Sequence, residues 1–267
     1  MAGPPRERRT RKPTVRLFGV DRVEIDSEDS WLLHAPPEKG EDQWKDGYSA
    51  KEQAKAWLRP GRPEVPDEWW AALADLCGEV DEIHGRPEHQ TALDRFPRKR
   101  KHDLFACLRR SGEMTAAVGV EATACEDFDG LVRDRANAEA PSNKRARCNL
   151  LAGALFGHRV FDEDTGGILD ARLAGHGYQA AGTLIEAQAR DLANAILLVH
   201  QFRPRDLEAA ARGGDRRGWA SRLEQNATKL VAFAEDFAKA GAVSHEMEFV
   251  KPGTRLHVVR VETVLAA

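Results

Sequence analysis

Two carboxylates, Asp103 and Glu121, have the types and spacing that could do chemistry together. Asp103 lies in the segment His102–Arg109 and Glu121 in Thr115–Ala124. Both segments suit strands, and they are joined around Ser111-Gly112-Glu113, which reads as a hairpin turn. Alternation along the second strand places Val118, Val120, Ala122 and Ala124 on one face. Thr115, Ala117, Gly119, Glu121 and Thr123 share the other. The first face is apolar and is expected to meet helices. The second carries one carboxylate among small residues, which would leave room around it. A three-residue loop at Ser111–Glu113 pairs Arg110 with Met114, Cys107 with Ala117 and Asp103 with Glu121. A two-residue loop would instead set Asp103 against Val120. In the first register the two acids face each other with Cβ atoms about 5 Å apart, where like charges repel.

A divalent cation between the acids would reverse the sign of that interaction. Oxygen ligands with space for water suit Mg²⁺, with Mn²⁺ as a substitute. Such an ion could polarise a phosphate and lower the pKa of a bound water. Arg95, Arg98, Lys99, Arg100 and Lys101 lie just before Asp103 and could hold a nucleic-acid backbone at the site. The plain alternative is a surface strand end at Asp103 with a solvated basic loop before it.

These residues resemble the PD-(D/E)XK nuclease-like superfamily. Asp103 matches its first acid, and Glu121-Ala122-Thr123 matches its acidic-x-Lys triplet with threonine in the lysine position. More closely, the chain is similar to a bacterial domain-of-unknown-function family of that fold. The matching stretches are Trp44-Lys-Asp-Gly-Tyr-Ser-Ala50 with Lys55-Ala-Trp57, His102-Asp-Leu-Phe105, Gly119-Val-Glu-Ala122, and Tyr178-Gln179 through Leu184-Ile-Glu186 to Leu198-Val-His200. The resemblance covers most of residues 30–265. It implies metal-binding roles for Asp103 and Glu121, and supporting roles for Gln179 and Tyr178 on a helix after the core strands. For those two the plain alternative is one polar and one core residue at a helix start. In the superfamily the triplet lysine stabilises developing negative charge beside the nucleophilic water. Thr123 carries no charge, and losing such a preorganised partner typically costs about 10²–10³ in rate. Lys101 or Lys144 could migrate in. Arg145 could supply charge, although a guanidinium transfers protons poorly. The resemblance therefore implies a metal-dependent hydrolase of nucleic-acid phosphodiesters with impaired activity. The alternative is a catalytically inactive binding or regulatory protein of nuclease fold.

The elements that must position these residues read as an α/β chain: a mixed sheet with an antiparallel hairpin, flanked by helices, plus an N-terminal extension. Residues 1–14 are Arg- and Pro-rich and form a basic tail that cannot bury enough apolar surface to order itself. It solubilises the chain, or else touches phosphates. Residues 15–60 form the extension packed on the main domain, with a strand from Val15 to Val23 and Trp31, Trp44 and Trp57 as anchors. Ser49-Ala-Lys-Glu52 has the pattern of a capping box for a helix ending near Leu58. The main domain, 61–267, opens with a helix from Asp67 to Cys77, with Asp67 as its N-cap and Gly78 past its end. Trp69, Leu73 and Leu76 form its apolar repeat. A short strand at His89–Leu93 precedes the hairpin, and polar residues 126–142 follow it as a loop.

Further helices are expected over Asn143–Phe156, with Leu150, Leu151, Ala154 and Leu155 as the stripe, and over Tyr178–Leu192. Ala195-Ile-Leu-Leu-Val199 suits a strand buried on both faces. A long amphipathic helix runs from Trp219 through Phe237 and closes at Gly241. A strand over Arg255–Leu265 follows. His200 is expected at the C-terminal end of its strand, as a structural residue or a ligand-facing one.

Composition limits the alternatives. A hydrophobic share of 42% and a charged share of 31% fit a globular chain long enough to bury a core. With a net charge of −3 the chain as a whole is not a polycation, so tight binding to nucleic acid would need local basic patches. Cys77, Cys107, Cys125 and Cys148 form no C-x-x-C pair, which argues for reduced thiols in a cytoplasmic protein. No apolar run reaches membrane-spanning length, and no signal-peptide h-region follows the basic N-terminus. Acidic Asp162, Glu163 and Asp164 lack the spacing of a calcium loop.

Overall fold

A computed structural model describes residues 11–59, 62–92, 99–124, 144–156, 161, 177–205, 219–240 and 253–265. Nine strands are described: β1 Thr14–Phe18, β2 Glu24–Ile25, β3 Leu58–Arg59, β4 Arg62–Pro63, β5 Glu82–Thr91, β6 Arg100–Arg110, β7 Glu113–Thr123, β8 Asn194–Pro204 and β9 Arg255–Leu265. Six α-helices accompany them: α1 Glu28–His34, α2 Ser49–Trp57, α3 Asp67–Cys77, α4 Lys144–Phe156, α5 Gly177–Gln188 and α6 Trp219–Ala240. Seven strands form one mixed sheet in the order β2-β1-β5-β6-β7-β8-β9, and β3 pairs with β4 alone. β5, β6 and β7 run as an antiparallel meander. β8 and β9 join in parallel on one side, and β1 joins in parallel on the other.

Apolar side chains on both faces of the sheet bury two cores, as a sheet covered by helices on each side requires. One face packs Leu104, Ala106, Val118, Val120, Ile196 and Leu198 against Trp31, Trp57, Trp69 and Leu73 from α1–α3. Trp57 and Trp69 meet edge to face with centroids 4.6 Å apart. The other face packs Phe105, Ala117, Leu197 and Val199 against α4, α5 and α6 through Cys148, Ala152, Leu184, Leu230 and Phe233. β8 is buried along almost its whole length, so its continuous apolar run marks the centre of the sandwich. Among the described residues no helix is long and apolar enough to cross a membrane.

Several elements differ from the expectation. β1 ends at Phe18, and the chain then turns through Arg22, whose φ is 68°, into β2. α1 is an additional helix, capped by Ser27, whose hydroxyl accepts from Ser30 N at 3.2 Å. Tyr48, not Ser49, occupies the N-cap of α2. The Glu52 carboxylate reaches back two residues further than the expected capping box, to accept from Gly47 N at 2.6 Å. Pro66 is the N-cap of α3, so Asp67 sits inside the first turn. Gly78 does end that helix, with φ 65°. Trp69 and Leu73 are buried but Leu76 is exposed, and Trp70 takes its place in the core. β5 begins at Glu82 rather than His89, because a sheet between two partners recruits polar residues that propensity alone leaves out. On α4 the buried stripe is Cys148, Ala152 and Leu155, and Leu150 is only half-buried. Residues 126–142, the acidic cluster 162–164 and Gly241 lie outside the described residues.

α5 approaches β7 closely at Gly119. A Cβ built there would collide with Thr183 Oγ1 and come within 3.0 Å of His102 Nδ1. The missing side chain is what lets the helix seat. Gly119→Ala should therefore destabilise the fold by about 1–3 kcal/mol, the usual cost of overpacking. Chemical denaturation measures it, and an unchanged midpoint would mean that α5 does not depend on that gap.

Candidate functional site

The β6–β7 hairpin sets the geometry of the two acids. Its loop is the two-residue turn Ser111-Gly112, with φ of 51° and 86°, and Arg110 pairs with Glu113 rather than Met114. Positive φ at both positions is the signature of the turn that matches strand twist. That loop alone would set Asp103 against Val120. Between Arg109↔Met114 and Leu108↔Ala116, however, the ladder slips by one residue at Thr115. This β-bulge restores the register Cys107↔Ala117 and Leu104↔Val120, whose continuation sets Asp103 beside Glu121.

Asp103 sits where side-chain alternation reverses. Ile83 lies in the tryptophan core, yet His89, of the same parity on β5, reaches Glu186 of α5 on the opposite side. Between them Glu88 takes φ 53°. On β6, Leu104 and Ala106 lie in the tryptophan core, but His102 lies beside Gly119 and Thr183. Asp103 is at that turnover, and its Oδ2 accepts from the Ala122 backbone N–H at 2.7 Å. The carboxyl is thus held across the strand gap rather than standing off one face.

The carboxylates Glu88, Asp103 and Glu121 gather here with the cations Arg100 and Lys101, and Glu38 adds negative charge beside Glu88. Arg100 Nη2 lies 3.5 Å from Glu121 Oε1, and Lys101 Nζ lies 3.1 Å from Glu88 Oε2. Burial first, then the charges of Glu121 and Glu88, push the Asp103 carboxyl well above the ordinary aspartate range. Burial likewise raises Glu88, although Lys101 pulls it back. The cation at Glu121 is therefore Arg100, while Lys101 serves the neighbouring acid.

The helix side of the site is closed, contrary to the expected room. Gly119 and Ala117 admit α5 rather than water. Thr123 is 2% exposed, and Asn226 Nδ2 of α6 lies 3.4 Å from its Oγ1. Next to it, Glu186 accepts from Thr91 Oγ1 at 2.6 Å and Arg190 Nη1 at 2.5 Å, with His89 Nε2 at 2.9 Å. Burial opposes its ionisation, but these partners pull its pKa down to about 2. This half-buried carboxylate ties α5 to β5, and no recognisable spacing in the sequence links His89 and Thr91 to it. His102 is fully buried, and burial and His89 lower its pKa to about 3, so it is neutral.

The remaining expected residues scatter. Lys144, Tyr178 and Gln179 fall in the first turns of α4 and α5, and their side chains lie outside the described residues, as do Arg95 and Arg98. Lys99 is exposed before β6. Arg145 is exposed on α4. His200 is not at a strand end: it is buried mid-strand in β8, with Nε2 2.9 Å from Thr263 Oγ1, and is structural. Cys77, Cys107 and Cys148 are free thiols. Among the described residues no group of three or more His, Cys, Asp or Glu is arranged to hold a metal ion.

The acid cluster has a sign that can be measured. A carboxyl whose pKa is raised by folding binds its proton more tightly in the folded chain. Its stabilising effect is full below the unfolded pKa of about 4 and is lost as pH rises towards the folded value. Asp103→Asn keeps an acceptor for Ala122 N–H and removes the charge. The variant should melt higher than wild type at pH 7, and the gap should close near pH 4. A variant less stable at pH 7 would show that the Asp103 charge is already compensated.

No curated protein and no solved structure matches the chain. The family described as Domain of unknown function (DUF6946) matches residues 24–264, a span that takes in β2 through nearly all of β9, both cores and the acid cluster. The chain belongs to that family.

Proposed function

We propose that the chain is a nuclease-like protein of the PD-(D/E)XK type whose acid pair, Asp103 and Glu121, takes Mg²⁺ or Mn²⁺, and whose activity on nucleic-acid phosphodiesters is impaired. The observation that carries this reading is the convergence of the two acids from adjacent antiparallel strands, beside a third strand that returns in parallel after a helical layer. The donor set fits such an ion. Mg²⁺ commonly rests on one or two carboxylates and keeps water and substrate oxygens for the rest of its shell, so a third protein ligand is not required. Burial first, and then the charges of Glu121 and Glu88, raise Asp103, and a cation between the acids would offset the part that comes from their mutual repulsion. When bound, the ion would polarise a phosphate oxygen and lower the pKa of a water.

The chain's own residues account for the impairment. Thr123 brings a hydroxyl and no charge, and α6 covers it through Asn226. Arg100 supplies positive charge near Glu121, but its guanidinium stays protonated and cannot relay a proton. Lys101 is held by Glu88. The second reading, an inactive binding or regulatory protein of this fold, is favoured by the closure at Gly119 and Thr123.

Titration calorimetry with Mg²⁺ and Mn²⁺ tests the ion site. Wild type should bind, and Asp103→Asn should lose binding. Absence of binding in wild type would remove the metal from the reading. Cleavage assays on single- and double-stranded substrates then separate enzyme from binding protein. Wild type should cleave weakly, and Thr123→Lys combined with Asn226→Ala, to clear space for the longer side chain, should raise Mg²⁺-dependent cleavage by about tenfold or more. That gain should vanish when Glu121→Ala is added. Robust wild-type cleavage would show that the absent lysine is not missed, and metal binding without any gain would favour the binding protein.

A further inference from the structure

A concave site lies on the same sheet, away from the acids. Among the described residues, the helices α4–α6 cover the second face mainly over β7, β8 and their neighbours, and leave part of β1, β5 and β6 open beside the end of α5. A cavity of about 400 Å³ occupies that opening. Its walls carry the cations Arg22, Arg86, Arg109 and Arg190 together with His84 and His89, and no carboxylate lines it among the described residues. In a chain with net charge −3, that concentration of one sign is not a sample of the average surface.

The four guanidinium groups are of two kinds. Arg190 is positioned by Glu186, through both its carboxylate and its backbone carbonyl, and lies 5.1 Å over the Phe105 ring. Arg109 donates to the Gly112 carbonyl, and its Nε is 4.0 Å from Glu82 at the rim. Arg22 and Arg86, by contrast, make no side-chain hydrogen bond or ion pair among the described residues. Two fixed cations and two unopposed ones therefore converge on one space. Like charges sharing a concavity repel unless an anion joins them. A guanidinium presents paired donors that match phosphate oxygens, and several around one cavity suit a group with more than one negative charge. The floor between them is apolar or sulfur-bearing, from Phe18, Phe105, Cys107 and Met114, which gives a ring or sugar something to rest on.

We propose that this cavity is a phosphate-binding site, engaged by a nucleotide whose phosphates bridge Arg22 and Arg86 towards Arg109 and Arg190. The phosphates come from a free oligophosphate or from a single-stranded nucleic acid. The site needs no metal. It shares no residue with the acid cluster, although Phe105 lies two residues from Asp103 on β6.

The test uses the full chain in the presence of a chelator, so that the metal reading cannot contribute. Two probes are titrated: inorganic pyrophosphate, by calorimetry, and a fluorescein-labelled eight-nucleotide single strand without terminal phosphates, by anisotropy. At least one should bind saturably, and the affinity should weaken by about tenfold in Arg22→Glu and in Arg86→Glu, and further in the double variant. Both positions are exposed, so circular dichroism should show the fold retained. Asp103→Asn should bind as wild type does. Binding of pyrophosphate assigns the site to free oligophosphates, and binding of the strand alone assigns it to nucleic acid. No binding of either probe, or binding that survives the double variant, overturns the proposal. Loss of binding in Asp103→Asn overturns the separation of the two sites.

Discussion

A single inserted residue governs the chemistry this chain can perform. Side chains alternate with a period of two, so a slip of one position in β7 would carry Glu121 away from Asp103 and exchange the faces that meet α2 and α5. The Ser111-Gly112 turn imposes one register and the Thr115 bulge shifts it by one. The two cores, the Gly119 gap and the Asp103 bond to Ala122 all presuppose the shifted register.

The hairpin, the long helix from Trp219 and the strand Arg255–Leu265 were legible because each has a sustained apolar period and clear punctuation. A three-residue loop predicts Asp103 opposite Glu121, whereas the structure sets the same register by a two-residue turn and the bulge at Thr115. A serine at φ 51° is an unusual occupant of a turn position that favours glycine or asparagine, so the short loop left little trace. The reversal at Glu88 left none, because glutamate seldom takes positive φ and nothing in its neighbours announces it. Alternation alone therefore put Asp103 on a face, where the fold has it reaching across a strand gap. The small residues Ala117 and Gly119 were ambiguous for a related reason. Small side chains make space for water or for a helix, and only the position of α5 decides between them.

Charge is distributed unevenly over this sheet. Glu88, Asp103 and Glu121 collect at one end of the meander and the arginines around the cavity collect towards the other, with Glu186 and His89 between them. Glu186 belongs to both halves, since it anchors α5 and also orients Arg190. Its low pKa means that the anchor persists through mild acid, while the raised Asp103 carboxyl costs stability as pH rises. The two halves thus respond to pH in opposite senses.

The connections of the sheet also dictate an order of assembly. β5, β6 and β7 pair through local contacts, with only a tight turn between the last two. β1 must wait for Glu82 to meet Thr14, and β9 joins β8 only after α6 has crossed between them. Closing such long chain segments costs entropy that short hairpins avoid, and parallel pairings of this kind form slowly. The meander is therefore the natural nucleus. A chain emerging from the ribosome would hold β1 paired only with β2 until β5 followed, and the edge of β1 that β5 later covers would be exposed throughout that interval. The charged residues Arg16 and Glu24 on β1 and β2 suit that wait, because a charged edge resists pairing with the wrong strand.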